Sequence, residues 1–211
     1  MSELVNGLRD LRVGAMLNLI SVILVLASVI FLFATIGGFP NLKDPSAFIG
    51  LMAIAGTYVT ILIVAAIIGL VGFVFYFKAT GHLKRYDPDY GIGRIGMVLQ
   101  IVGLILMLAS FGLIFLAVSL ARALPQAALG ATLSMLGLII VGAIVIIVGS
   151  ILFSVMLIRL GKVDSGFKIA GILYLIGIIL NFIVSGIGTI LGIVSTILIY
   201  TSSGRSLERL S

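Results

Sequence analysis

The chain has 211 residues, is 62% hydrophobic and only 9% charged, and carries a formal net charge of +6; its mean hydropathy is +1.39. Soluble domains are about half apolar and about a quarter charged. So few charges cannot cover a water-facing surface, and the composition excludes a soluble globular protein in favour of an integral membrane protein. There is no Cys and no Trp, and His82 is the single histidine. Disulfide frameworks, thiolate sites and His-rich metal or haem centres are thereby excluded, and no cofactor or metal is expected.

A spanning helix needs roughly 20 apolar residues to cross a hydrocarbon core about 30 Å thick. The first such segment covers 13–35. It is longer than a signal-peptide core and no clean cleavage site follows, so it reads as an uncleaved anchor. The second segment, 48–77, must tilt, kink or project beyond the bilayer, with Gly69 and Gly72 as candidate bends. A basic loop, 78–94, leads to the third segment, 95–121. The fourth, 127–158, is again long, with Gly137, Gly142 and Gly149 as candidate bends. The last apolar region is divided near 181–188 into two short segments, 169–183 and 187–201. Two tilted helices or a re-entrant hairpin would both fit. The expectation is therefore a single all-α membrane domain of six segments arranged as three helical hairpins, the last pair short and open to re-entry.

Charge orients it. With a cytoplasmic amino terminus and six crossings, Arg9, Arg12, Lys78, Lys84, Arg85, Arg94, Arg159, Lys162, Lys168, Arg205 and Arg209 face inward, and only Lys43 and Arg122 face outward. This positive-inside bias places both termini in the cytoplasm of a cell-membrane protein. It also explains the basic balance through anionic lipid, so membrane lipids and not nucleic acid are the expected partners.

The odd-numbered segments begin alike. Arg12, Arg94 and Lys168 each precede a small residue two positions on, a polar residue six on and a small residue nine on. The even segments end alike, with Gly69 and Gly81, Gly149 and Gly161, and Gly192 and Gly204 each twelve apart. Three hairpins of one orientation would follow from a repeat, although a chain so rich in Gly, Ile, Leu and Val also aligns with itself by composition. The equivalent polar residues are Asn18, Gln100 and Tyr174. They form either interhelical hydrogen bonds, the ordinary role, or a polar ring roughly 9 Å beyond the basic anchors.

The loop 78–94 holds the remaining candidates. Gly91, Gly93 and Gly96 match a G-x-G-x-x-G spacing, but no strand precedes them, so a glycine-rich helix start is the reading. Asp87-Pro88-Asp89 could hold Mg²⁺ on a phosphate, yet Asp and Pro are also ordinary turn residues. Lys78, His82, Lys84, Arg85 and Tyr86, with Tyr76 and Tyr90 beside them, suggest anchoring at the lipid interface or a head-group or partner contact. Gly188 and Gly192 have the spacing of a close helix contact. No Asp, Glu, Lys, Arg or His falls within the central spans, which argues against proton pumping, voltage sensing and intramembrane proteolysis.

Three stretches together resemble a known family: the start 7–15 (GLRDLRVGA), 90–96 (YGIGRIG), and 170–173 (AGIL) running on to Gly204. They are similar to an archaeal family of multi-pass membrane proteins, common in thermoacidophiles and described only as a domain of unknown function. The resemblance implies a plasma-membrane protein and carries no activity or site residues. From the residues, the leading expectation is a non-enzymatic structural or accessory membrane protein, a homo-oligomer or a subunit of a larger membrane complex. The alternatives are a channel or carrier for a small or uncharged solute, which needs a polar cavity through Asn18, Gln100, Tyr174 and Asn181, and a lipid head-group enzyme using Asp87 and Asp89.

Overall fold

A computed structural model describes residues 1–36, 45–120, 125–184 and 186–210. It contains six α-helices: α1 (Ser2–Ile36), α2 (Pro45–Tyr86), α3 (Gly91–Leu120), α4 (Pro125–Leu160), α5 (Ser165–Ile183) and α6 (Ile187–Leu210). A single 3-10 turn, Pro88–Tyr90, joins α2 to α3. Five helices are long and apolar enough to cross a membrane, and α5 offers a shorter apolar stretch, Ser165–Asn181. The protein is thus a helical membrane protein, with no strand among the described residues. Lys43 and Arg122, and with them the charge balance of the loops opposite the termini, lie outside the described residues.

Local chemistry fixes the helix starts. Pro45 and Pro125 occupy first helical positions, where a missing N–H costs nothing. Asp164 caps α5, its Oδ1 accepting the Gly166 N–H at 2.8 Å. Asp87 caps the 3-10 turn by accepting the Asp89 N–H at 2.9 Å.

Three helices run well beyond the apolar segments read from sequence. α1 begins at Ser2 rather than near 13, because Leu4, Leu8, Leu11 and Ala15 form one buried stripe at helical spacing. α6 continues to Leu210 with Ser202, Ser203, Gly204 and Ser206 buried. α2, 42 residues long, would extend about 63 Å at 1.5 Å per residue. It is one continuous helix, so its excess length projects beyond a bilayer.

Each helix packs on its chain neighbours, and α6 packs on α1, so the six close into a ring; the side chains of Tyr76 on α2 and Phe153 on α4 meet across it. The closest seams are within the hairpins α1/α2, α3/α4 and α5/α6, which run antiparallel. Their contacts recur every seven residues at small side chains: Gly7, Gly14 and Ser21 on α1 meet Ala79, Gly72 and Ala65 on α2. Gly96 and Gly103 on α3 meet Gly149 and Gly142 on α4. Ala170 and Gly177 on α5 meet Ser195 and Gly188 on α6. A seven-residue repeat keeps one face of a helix against its partner, and small residues let backbones approach. Gly72, Gly142 and Gly149, read from sequence as bends, are therefore contact points, whereas a Cβ on Gly137 would meet nothing within 4 Å. Ser21 and Ser195 reinforce two seams by donating from Oγ to the carbonyls of Ala65 and Ala170, both at 2.8 Å.

The tightly packed core sits at the end of the ring that holds both termini. Leu8, Leu11, Leu83, Met156, Leu157, Leu160 and Phe167 are fully buried there. Toward the opposite end the large apolar side chains, such as Phe33, Phe115 and Leu129, face outward.

Candidate functional site

Just beyond that core, on the ring axis, lies a cavity of about 290 Å³. All six helices contribute to its lining, and the polar residues on it include Asn18 of α1, Gln100 of α3 and Tyr174 of α5. The structure thus brings the three equivalent polar positions to one space. At about 30 Å³ per molecule the volume corresponds to roughly ten waters.

The floor toward the termini is aromatic and apolar. Tyr76, Met97, Phe153 and Ile199 are buried. The Tyr76 and Phe153 rings lie 5.5 Å apart and tilted by 53°, and Phe153 meets Tyr174 edge-on at 6.1 Å. Edge-to-face and tilted packing at such distances is favourable beyond area burial. It closes the space on that side.

The polar groups are unequally satisfied. Asn18 Nδ2 donates to the Gly14 carbonyl at 3.1 Å, and Thr196 Oγ1 donates to the Gly192 carbonyl at 2.8 Å, both within their own helices. Gln100 Nε2 is buried with no hydrogen-bond partner among the described residues. An amide N–H held away from water without an acceptor is costly. Gly192, read from sequence as a packing glycine, instead lines the cavity; a Cβ there would meet nothing within 4 Å, while Gly188 is the one that packs, against Gly177 and Asn181.

Two recesses adjoin this cavity. One of about 130 Å³ shares Tyr174, Thr189 and Gly192 with it and reaches Asn181 between α5 and α6. The other, about 480 Å³, shares Asn18, Phe73 and Gln100 and opens along α2 and α3. No ionisable Asp, Glu, Lys, Arg or His lines any of the three.

The candidates of the basic loop do not converge on a site. Lys78, Lys84, Arg85 and Tyr86 are exposed on the end of α2. His82 turns toward α1 instead: its Nδ1 is 2.6 Å from Glu3 and its Nε2 is 3.7 Å from Asp10. The hydrogen bond to His82 holds the Glu3 carboxyl below its ordinary range, outweighing a small desolvation. Tyr76 and Tyr90, expected at the lipid interface, are instead buried in the core. The reason is helical register: Tyr76 shares the inward face of α2 with Ala79 and Leu83. Asp87 is occupied as a cap, and Arg159 donates to the Asp89 carbonyl at 2.8 Å, tying α4 to the turn. Gly91, Gly93 and Gly96 open α3, and Gly96 packs on α4.

Sequence reasoning missed a second ionic cluster. Asp164 is buried, and Arg205 and Arg209 of α6 reach it at 3.0 and 3.7 Å. Burial pushes its carboxyl up, but the Gly166 N–H, Arg205 and Ser202 together hold it below its ordinary value. Arg12 stacks over Tyr200 with 5.0 Å to the ring centroid, and Arg94 over Phe77 at 4.8 Å. These basic anchors thus bind neighbouring rings.

The model of one protein family, described as "Protein of unknown function (DUF973)", matches residues 4–211. No curated protein and no solved structure matches the chain.

Proposed function

The chain belongs to this family of unknown function, and we propose that it binds a small uncharged solute in its central cavity as a membrane carrier or channel. The single observation that carries this reading is the cavity itself. It sits where six helices meet, and Asn18, Gln100 and Tyr174 converge on it without any charged group. A site lined mainly by apolar groups with a few convergent polar ones is what a small-molecule pocket requires. Dry packing along the axis would have favoured the accessory role suggested by composition. An unmet amide donor on Gln100 supports a ligand that accepts a hydrogen bond. In this reading the protein lies in the cell membrane with both termini cytoplasmic, and the aromatic floor closes the cytoplasmic side.

The test uses Gly192→Leu, which fills the cavity from a position where a Cβ meets nothing within 4 Å. Purified protein is melted in mild detergent with a series of uncharged solutes from glycerol to octanol. At least one solute should raise the melting temperature of the wild type and leave Gly192→Leu unmoved. If no member of the series separates the two proteins, the reading is wrong.

A further inference from the structure

We infer that the solute is lipophilic, an uncharged molecule with an alkyl body and one hydrogen-bond-accepting head, and that it enters sideways from the bilayer between α2 and α3. The inference rests on the central cavity being a solute site and specifies what that site takes.

The 480 Å³ recess is the larger of the two spaces that adjoin the cavity. Its outer walls are Ala66 and Leu70 of α2, Leu104 and Leu108 of α3, and Ile146 of α4. Every one of these is a hydrocarbon side chain. At its inner end it shares Asn18, Phe73 and Gln100 with the central cavity. The two spaces together are an apolar channel ending on amides, with Gln100 at the junction and its Nε2 tucked away from the open space without a hydrogen-bond partner among the described residues.

Depth decides the source of the occupant. Gln100 lies six residues beyond Arg94 and Leu108 fourteen beyond it, or about 9 and 21 Å along the helix. Basic residues at span ends sit near the membrane interface, so an opening at that depth faces acyl chains within a hydrocarbon core about 30 Å thick. A water-borne solute would have to cross lipid to reach it, whereas a lipophilic one is already there. Ala66, Leu70, Leu104 and Leu108 are exposed on the outside of the ring, so the mouth is not covered by another helix of this chain among the described residues. The aromatic floor of Tyr76 and Phe153 blocks the alternative entry from the terminal end.

The head is read by geometry as well as chemistry. An acceptor oxygen beside Gln100 would satisfy the amide donor once that side chain turns toward the space, and an alkyl body would lie along Leu70, Leu104 and Leu108 without any polar group to desolvate. A charged head has no counter-ion on any wall of the two spaces and would meet the cost of an unpaired charge in hydrocarbon.

The experiment reconstitutes the full chain in phosphatidylcholine liposomes and photolabels it with a diazirine-bearing octanol. The labelled residues are mapped by mass spectrometry, with unlabelled octanol as competitor. Saturable labelling is expected at Leu70, Leu104, Leu108 and Gln100. Ala66→Trp narrows the mouth and should lower that labelling about tenfold, a change equal to one decade in affinity. Ile67→Trp, on the exposed outer face of the same helix, should not. Leu104→Trp provides a second block from the opposite wall should Ala66→Trp fail to fold. Competable labelling that survives both blocking variants would overturn lateral entry. If glycerol protects the wild type but not Gly192→Leu while octanol does neither, the cavity reading stands and the lipophilic occupant falls. If no solute in the series acts on the cavity, both fall.

Discussion

The two ends of the ring are built differently. At the end with the termini, Leu8, Leu11, Leu83, Met156 and Phe167 are fully buried, Asp164 and Arg159 tie down the connecting turns, and His82 ties α2 to α1. At the other end Ala65, Ser28 and Ser110 are buried, but these are small seam residues, and the bulky side chains around them point out. One end therefore folds as a soluble protein does, by excluding water from a packed core. The other has no such driving force in lipid, and its helices associate through small-residue seams and hydrogen bonds. The cavity lies at the boundary, where tight packing gives way to a looser ring.

The strongest way to break this comparison is to attack a seam. A Cβ on Gly149 would lie 2.5 Å from the Gly96 carbonyl oxygen, backbone against backbone. Gly149→Ala should force α3 and α4 apart and cost on the order of 1–3 kcal/mol, the range for overpacked sites. Gly137→Ala on the same helix meets nothing within 4 Å and should leave the melting temperature unchanged or slightly raised. Thermal unfolding of both variants in detergent checks the pair. Equal effects would show that the seams are not where the helices are held.

The terminal end should respond to pH where the seams do not. Asp164→Ala removes the α5 cap and the partner of Arg205 and should cost about 1 kcal/mol through the cap alone. The Asp164 carboxyl is held below its ordinary value of 3.8. A depressed carboxylate stabilises the native state above its unfolded value, and that stabilisation is lost as pH falls through the lower native one. The pH-dependent part of the difference in melting temperature between wild type and Asp164→Ala should be complete at neutral pH and shrink on acidification below 3.8. The Gly149→Ala deficit should not follow that profile.

At the boundary, function and stability should oppose one another. Gln100→Leu removes an amide with no acceptor and replaces it with a hydrocarbon of similar size. The unliganded protein should gain about 1 kcal/mol, the lower range for relieving a buried unsatisfied group. Solute-induced stabilisation should be lost in the same variant. A destabilised Gln100→Leu would mean that the amide supports packing rather than a ligand.

Much of this was legible beforehand, and what was missed had a physical reason. Apolar segment length marked the six helices, because hydrocarbon thickness fixes it. Asn18, Gln100 and Tyr174 were visible as equivalent polar positions after a basic anchor. Their meeting at one cavity depended on ring closure by α6 against α1, a long-range contact that hydropathy does not encode. The stripe Leu4, Leu8, Leu11 and Ala15 was present in the sequence, but hydropathy hid it among Glu3, Arg9, Asp10 and Arg12. Helical periodicity would have found it. The seven-residue spacing of Gly7, Gly14, Ser21 and Ser28, and of Gly188, Ser195 and Ser202, was equally readable. It was obscured by reading the facing glycines Gly72, Gly142 and Gly149 as bends and Gly188 through its four-residue spacing to Gly192. Tyr76 and Tyr90 were misplaced because an aromatic beside lysines has the composition of an interfacial belt, whereas its face is set by register.

The smallest expected effect sharpens the same contrast. Glu3, His82, Asp10 and Arg85 form the ionic cluster between α1 and α2, yet Glu3 and Arg85 are water-exposed to a large degree, and exposed pairs contribute little against solvent screening. The hydrogen bond to His82 keeps the Glu3 carboxyl below its ordinary value of 4.5, so its contribution is present above that value and fades as pH falls through the lower native one. Glu3→Gln should shift the melting temperature less than Asp164→Ala does, and the shift should disappear at high salt. Leu8→Ala, five residues further along α1 on the buried stripe, should instead cost about 2–5 kcal/mol regardless of salt. Should Glu3→Gln prove the more damaging of the two, the amino-terminal extension of α1 would be held by charge. The apolar stripe would then be a consequence of docking rather than its cause.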